Sequence, residues 1–106
     1  MASGDMFPID DPAYYVTPVE FELAAPYPNP FNSSTMVRVS LPYEAKLTVS
    51  VVNLLGREVA MLAAGEFRDA GNHHFLFNAG SLASGIYFVH ATTNHQSAMQ
   101  KVVLVR

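Results

Sequence analysis

The sequence predicts an all-β domain, an antiparallel β-sandwich of about seven strands. Three observations support this prediction. Apolar and polar residues alternate with the period of a half-buried strand in several short stretches. Turn signals rich in glycine, proline or asparagine separate these stretches at near-regular spacing, and no stretch has a convincing helical period. The architecture expected is immunoglobulin-like but without its disulfide, because the chain has no cysteine.

Composition limits the classes of function. Half of the 106 residues are apolar and 14% are charged, which is too apolar for disorder and too interrupted for a membrane span. The net charge is −3, and the six basic residues are scattered rather than gathered in a stripe, which argues against a nucleic-acid partner. The absence of cysteine excludes thiol catalysis and thiolate metal sites.

Residues 1–18 have the composition of a linker or tether. They contain Pro8, Pro12 and Pro18 together with three aspartates, and they show no period. Their aromatic residues (Phe7, Tyr14 and Tyr15) leave two interpretations open. The segment either rests on the domain or pairs with a sheet edge, its own or a neighbour's. The chain is therefore divided into a linker, 1–18, and a β-sandwich, 19–106.

The first strand is expected at Val19–Leu23, and Pro26–Thr35 follows it as a rigid bend. Three prolines in this bend fix φ near −65° and push the preceding residues into extended geometry. A helix cannot pass through it, and a central strand could not spare the missing N–H donors. We expect Phe31 to anchor the bend on the core, while the polar residues that follow cap the turn.

Six further strands are predicted after the bend: Thr35–Leu41, Lys46–Asn53, Arg57–Ala64, His73–Asn78, Ile86–Thr93 and Ala98–Val105. Each alternates, as Val37, Val39 and Leu41 do in the first of them. Gly56 is expected at a positive φ in the turn before the third. Gly65–Gly71 is interpreted as a polar connection, and Asn78–Gly85 as a corner of small residues anchored by Leu82.

Residues with catalytic or metal-binding chemistry are few. Gly80–Gly85 lacks the Gly-x-Ser-x-Gly spacing of a nucleophile elbow. The acidic pairs Asp10/Asp11 and Glu20/Glu22 are expected to be solvated. His73 and His74 face opposite sides of a strand, although His90 or His95 could meet His74 across a sheet. Two histidines without a placed carboxylate are poor ligands for a metal. We therefore predict no enzyme activity, no cofactor and no metal.

Four stretches together resemble the C-terminal sorting domain, type A, of proteins exported by the Por (type IX) secretion system of Bacteroidetes-like bacteria. They are AAPYPNPFNSSTMVRVSLP, LTVSVVNLLGREVAML, AGNHHFLFNAGSLASGIYFVHA and QKVVLVR. The motif residues within them are Pro28, Asn29, Pro30, Phe31, Asn32, Gly56, Arg57, Gly85 and Tyr87. The resemblance covers about residues 21–106, and a related sandwich is that of flagellar hook-capping proteins. Ser33 departs from the family, where proline is frequent at this position.

The resemblance implies a non-catalytic export address carried at the C-terminus of a larger cargo. It implies as partners the outer-membrane secretion machinery, a sortase-like peptidase and the N-terminal cargo domain. It also implies a location in the secreted fraction or at the cell surface, reached through the periplasm and the outer membrane. Cleavage is expected within residues 1–18. Because this sequence lacks a signal peptide, we interpret it as a piece of a longer secreted precursor.

Recognition is predicted at the last strand, through Lys101, Val103, Leu104 and Arg106. We expect the strand to end at Arg106 with an accessible edge, along which a receptor adds a strand or holds the terminus. Lys101 and Arg106 would supply charge selectivity. The alternative interpretation is that Val102–Val105 is core and that both cations are only solvated.

Two other functions remain open from the sequence. The first is an accessory module of a secreted enzyme that binds carbohydrate or the cell surface, with Tyr14, Tyr15, Tyr27 and Tyr43 as stacking platforms. The second is an oligomerisation module that self-associates through residues 1–18 or through edge strands.

Overall fold

The computed structural model describes residues 20–106, which form two facing antiparallel sheets. The predicted linker, residues 1–18, therefore lies outside the described residues. The described residues contain seven strands and no helix, so none of their elements is a helix that could cross a membrane. The strands are β1 (Glu22–Leu23), β2 (Ser34–Leu41), β3 (Ala45–Asn53), β4 (Glu58–Arg68), β5 (Gly71–Asn78), β6 (Gly85–Thr92) and β7 (Ser97–Leu104).

The sheets have three and four strands, in the orders β1-β2-β5 and β4-β3-β6-β7. Each strand pairs antiparallel to its neighbours, and β2 pairs with β5 without a break from Ser34↔Asn78 to Leu41↔Gly71. The prediction of an all-β, immunoglobulin-like sandwich without a disulfide is thus confirmed.

The core lies between the sheets and is filled from alternate positions of nearly every strand. Alternation places one set of side chains inside because successive residues of a strand point to opposite faces. Nine of these side chains are completely enclosed, at 0% exposure: Val37, Val39, Leu47, Val49, Val51, Phe77, Val89, Ala91 and Val102. The inward positions predicted for β2, Val37, Val39 and Leu41, are therefore correct.

Two predicted elements differ from the structure. The strand predicted at Val19–Leu23 is paired only at Glu22–Leu23, and Val19 lies outside the described residues. The polar connection predicted at Gly65–Gly71 is wrong, because β4 continues to Arg68. Gly65 has φ +63°, and the β3–β4 pairing shifts register at three points, so the chain passes through bulges without leaving the sheet.

The segment between β1 and β2 connects the two sheets along one side of the sandwich. It begins beside β2, where the Ala24 amide donates to the Arg38 carbonyl, and it reaches β7 at Phe31, which pairs with Leu104. It then returns to the first sheet, where the Ser33 carbonyl accepts from the Ala79 amide. Gln100 of β7 donates its side-chain amide to the Leu23 carbonyl at 2.9 Å, so β1 and β7 are adjacent edges of opposite sheets. The crossing closes this side of the sandwich.

Candidate functional site

The first half of the proline bend is held against the three-stranded sheet. Tyr27 and Met36 exchange two backbone hydrogen bonds, of 3.1 and 2.9 Å. The hydroxyl of Thr35, a residue 1% exposed, donates to the Pro28 carbonyl at 2.7 Å. The Tyr27–Pro28 and Asn29–Pro30 peptide bonds are cis. The hydrogen bonds to Met36 and Thr35 give the bend a fixed direction towards the other sheet.

The side chain of Asn29 binds the outer edge of β7. Its Nδ2 donates to the Lys101 carbonyl at 3.0 Å, and its Oδ1 accepts from the Val103 amide at 3.0 Å. The carboxamide thus makes the two contacts that a backbone peptide group of a neighbouring strand would make. This role was not predicted. The available signal was an asparagine between two prolines, a place where the adjacent backbone has no N–H to offer.

Phe31 continues the pairing along β7. Its amide donates to the Val103 carbonyl at 2.9 Å, and its carbonyl accepts from the Val105 amide at 2.8 Å, as in a parallel bridge. Its ring is 3% exposed and lies 5.5 Å from the ring of Phe77, with the two planes tilted by 55°. The expectation that Phe31 anchors the bend on the core is confirmed.

A groove opens where the bend meets the end of β7. It has a volume of about 390 Å³ and is lined by Pro28, Pro30, Phe31, Asn32 and Val105. We call it the bend groove. Val105 is 52% exposed, so the groove offers apolar surface to solvent directly beside the last strand. The lining consists mainly of apolar residues, a composition typical of a surface that accepts an apolar group.

Arg106 is fixed against the loop between β5 and β6. Its amide donates to Ser84 Oγ at 3.0 Å, and its guanidinium donates to the Gly80 carbonyl. The expectation of an open edge near Arg106 is therefore wrong between Lys101 and Val105. Asn29 and Phe31 occupy the outward backbone groups there, which strand addition would require.

The four predicted recognition residues differ in exposure. Leu104 is 1% exposed and belongs to the core, and Val103 is half-buried with its backbone bonded to the bend. The side chains of Lys101 and Arg106 are exposed. Among the described residues, neither has a carboxylate within salt-bridge distance, because the one ion pair found joins Arg68 to Glu66. Lys101 and Arg106 therefore give the site a positive charge.

The remaining motif residues lie near the same end of the four-stranded sheet. Tyr87 pairs with Val102 on one side and with Asn53 on the other, which puts the turn after β3 two strands from β7. That turn contains Gly56, at the predicted positive φ (+82°), and Arg57, whose amide donates to Asn53 Oδ1.

At the start of β6, Gly85 pairs with Leu104, the last residue of β7. Tyr87 is 7% exposed, and its hydroxyl donates to the Ala83 carbonyl at 2.6 Å. Gly85 and Tyr87 therefore support β7 from its inner neighbour, while the bend supports it from outside.

The histidines do not form a site. His74 pairs with Arg38 in the three-stranded sheet, whereas His90 lies in the four-stranded sheet and His95 in its hairpin turn. The contact foreseen between His74 and one of the other two is therefore wrong. Over residues 20–106, no group of three potential ligands could hold a metal ion.

Comparison with known proteins identifies one family. A family model described as "Secretion system C-terminal sorting domain" matches residues 25–105, about three-quarters of the chain. The match begins just before the bend and ends at Val105 in the bend groove. No curated protein matches the chain.

Proposed function

The chain belongs to the family of C-terminal sorting domains of the Por (type IX) secretion system, and we propose that it directs an N-terminal cargo protein across the outer membrane to the cell surface. The family is a sorting family and not a catalytic one, which supports a role in recognition alone. The outer-membrane machinery would bind the folded domain. A sortase-like peptidase would then separate the domain from the cargo within residues 1–18, so that 19–106 acts as one unit.

We place the recognised surface at the end of β7, around the bend groove. The observation that carries this proposal is the double hydrogen bond between Asn29 and the backbone of Lys101 and Val103. It joins two of the four stretches by which the sequence resembles the family, the proline bend and the last strand. A receptor that bound there would contact both stretches at once.

The chemistry of this surface favours recognition by side chains. Strand addition between Lys101 and Val105 would have to displace Asn29 and Phe31 from their hydrogen bonds. The exposed groups are instead an apolar groove and the cations of Lys101 and Arg106. A receptor loop with an apolar residue beside a carboxylate has the complementary chemistry, and the opposite charges would also speed encounter.

The roles proposed for Val103 and Leu104 are indirect. Leu104 holds β7 in the core, and Val103 provides the amide and carbonyl that the bend binds. Removing Lys101–Arg106 would therefore unfold this end of the sandwich as well as delete the charges. A deletion cannot separate recognition from folding, so point substitutions are needed.

The test fuses the full 106-residue chain to the C-terminus of a periplasmic reporter in a host competent for type IX secretion. The double variant Lys101→Glu/Arg106→Glu reverses both charges. We expect its reporter to accumulate in the periplasm, whereas the reporter with the unchanged chain reaches the cell surface. Surface display is measured by protease shaving of intact cells.

The matched control is Lys46→Glu, which reverses an exposed cation near the start of β3, at the opposite end of the four-stranded sheet from the bend groove. It should leave display unchanged. Thermal melting of each purified variant shows whether the sandwich still folds. Undiminished surface display of a folded double variant would contradict the recognition proposal without affecting the family assignment.

The alternative of a carbohydrate-binding module gains no support from the tyrosines. Tyr27 and Tyr43 are 80% and 53% exposed, but they lie near opposite ends of β2. Tyr27 pairs with Met36 near the start of that strand, whereas Tyr43 follows its end. They do not form one platform, and Tyr14 and Tyr15 lie outside the described residues.

A further inference from the structure

Three of the four outer sheet edges carry features that oppose pairing with another strand. The β4 edge has register shifts and the left-handed Gly65, the β7 edge is bound by Asn29 and Phe31, and β1 has only two residues. Bulges, covering segments and short edge strands are the usual means by which soluble β-proteins avoid edge-to-edge association.

The outer edge of β5 has none of these features. Its eight residues, GNHHFLFN, keep unbroken register with β2 and include no proline, lysine, arginine or carboxylate. Long, regular and uncharged edges are the ones that pair with a further strand. Among the described edges, β5 is therefore the one open to such pairing.

The hydrogen-bond pattern shows which backbone groups this edge presents. The Ala79 amide donates to the Ser33 carbonyl at the end of the β2–β5 ladder. Hydrogen-bonded positions alternate along an antiparallel strand, so the backbone N–H and C=O groups of the odd-numbered residues of β5 point towards β2. The N–H and C=O groups of Asn72, His74 and Leu76 therefore point away from the sheet, and the side chains of all three are exposed.

An apolar row runs across the outer face of this sheet and ends at the same edge. Tyr27 pairs with Met36, and Met36 pairs with Leu76, so the three side chains are direct neighbours on one face. They are 80%, 41% and 56% exposed. Nothing in the described chain covers this row, and Leu76 places its end on the open edge.

We propose that β5 pairs with β5 of a second copy of this chain, antiparallel and about a two-fold axis, with Leu76 opposite Leu76 of the other copy. The two three-stranded sheets then become one sheet of six strands. The register joins both apolar rows end to end, from Tyr27 of one copy to Tyr27 of the other. It also sets His74 opposite Asn78, so no like charges from acidic or basic residues face each other across the axis.

A second copy fits this edge because the edge is self-complementary. Two-fold interfaces use the same surface patch on both copies, and an uncharged strand with a central leucine meets that condition. The association does not depend on the sorting role. It would be weak, because the contact is one strand wide and interfaces of small area sit at the low end of affinity.

Cysteine cross-linking tests the register, since the native chain contains no cysteine. Opposed residues of a bonded antiparallel pair have Cα atoms about 5.5 Å apart, a separation that a disulfide can span. Under mild oxidation of the full chain, Leu76→Cys should give a covalent dimer. Met99→Cys, on the edge strand β7 and 55% exposed, should give far less. Equal yields from the two variants would overturn the proposal.

Sedimentation measures the association without a cross-link. The mass of the native full chain should rise towards that of a dimer over about a hundredfold range of concentration, and Leu76→Lys should weaken dimerisation at least about tenfold. Met99→Lys should leave it unchanged. A native chain that stays monomeric throughout overturns the proposal. If the β5 amides of that monomer are nevertheless protected from hydrogen exchange, the segment that pairs with the β5 edge is residues 1–19 of the same chain.

Discussion

The carboxamide of Asn29 accepts a hydrogen bond from the Val103 amide across 74 positions of sequence. The same carboxamide donates to the Lys101 carbonyl, so one side chain satisfies two backbone groups on the outer edge of β7. The bend and the last strand are therefore one structural unit. A substitution in either one should therefore lower the stability of both.

Replacing Asn29 tests this unit directly. Asn29→Ala removes both hydrogen bonds, and each is expected to contribute about 1 kcal/mol or less because the site is exposed. The free energy of unfolding should fall by about 1–2 kcal/mol in urea denaturation. Asn32→Ala, three residues later and also exposed, is the control and should change it much less. Equal effects of the two substitutions would contradict the role assigned to Asn29.

Thr35 should be sensitive to loss of its hydroxyl. The buried Oγ1 donates to the Pro28 carbonyl at 2.7 Å, and Thr35→Val keeps the volume while leaving that carbonyl without its donor. The expected loss is about 1 kcal/mol, the usual net contribution of one hydrogen bond, because Pro28 is exposed and water can reach its carbonyl.

The matched control for Thr35 is Thr92→Val, on the half-buried outer face of β6. Chemical denaturation of both variants measures the difference. A loss confined to Thr92→Val would show that the hydroxyl of Thr35 does not hold the bend.

Gly56 should tolerate asparagine better than alanine. Its φ is +82°, and a Cβ at this position would meet no atom within 4 Å, so backbone strain is the whole expected effect. Gly56→Ala should cost about 1–2 kcal/mol, and Gly56→Asn less, because asparagine adopts the left-handed region more readily. Thermal melting gives the order of the three proteins. If Gly56→Asn melted at a lower temperature than Gly56→Ala, a steric clash would be the cause, and this would contradict the open surroundings of Gly56.

The ion pair between Glu66 and Arg68 gives a weak dependence of stability on pH. The hydrogen bond from Arg68 is the main cause that lowers the pKa of Glu66 below its ordinary value, and the guanidinium charge adds to it. A lowered folded-state pKa stabilises the fold above the ordinary pKa of glutamate, and the gain is lost as the pH falls through the folded value.

Glu66→Gln should therefore reduce the acid-side slope of melting temperature against pH while leaving the rest of the curve in place. Both side chains are solvent-accessible, so added salt should diminish the difference from the native chain. Glu44→Gln, an exposed carboxylate in the turn after β2, is the control and should leave the slope as it is. An unchanged slope for Glu66→Gln would show that the pair is not formed in solution.

The strands could be predicted because their signals are local. Val37, Val39 and Leu41 alternate with polar neighbours, and alternation translates directly into an inner and an outer face. Gly56 was identified for the same reason, as the one residue of its turn suited to a positive φ. Gly65 misled the interpretation, because its left-handed φ lies inside a paired strand and only the partner strand β3 keeps the chain in the sheet.

The contacts that build the candidate site could not be predicted in the same way. Asn29 binds β7 through a side chain, and no periodicity in the sequence specifies a contact across 74 positions. Ser40 illustrates the same limit on a smaller scale. It lies on the predicted outer face of β2, yet it is 2% exposed and donates to Asn72 of β5.

The bend groove has one wall near the beginning of the sandwich sequence and the other near its end, at Val105. A nascent chain displays the prolines early, but the groove forms only after Val103 and Val105 have been synthesised and have folded against Phe31. Contacts this distant in sequence are also late and slow to form. A polypeptide whose translation stopped before Val103 would carry the proline motif without the groove. The groove therefore reports that the sandwich has been both fully translated and folded.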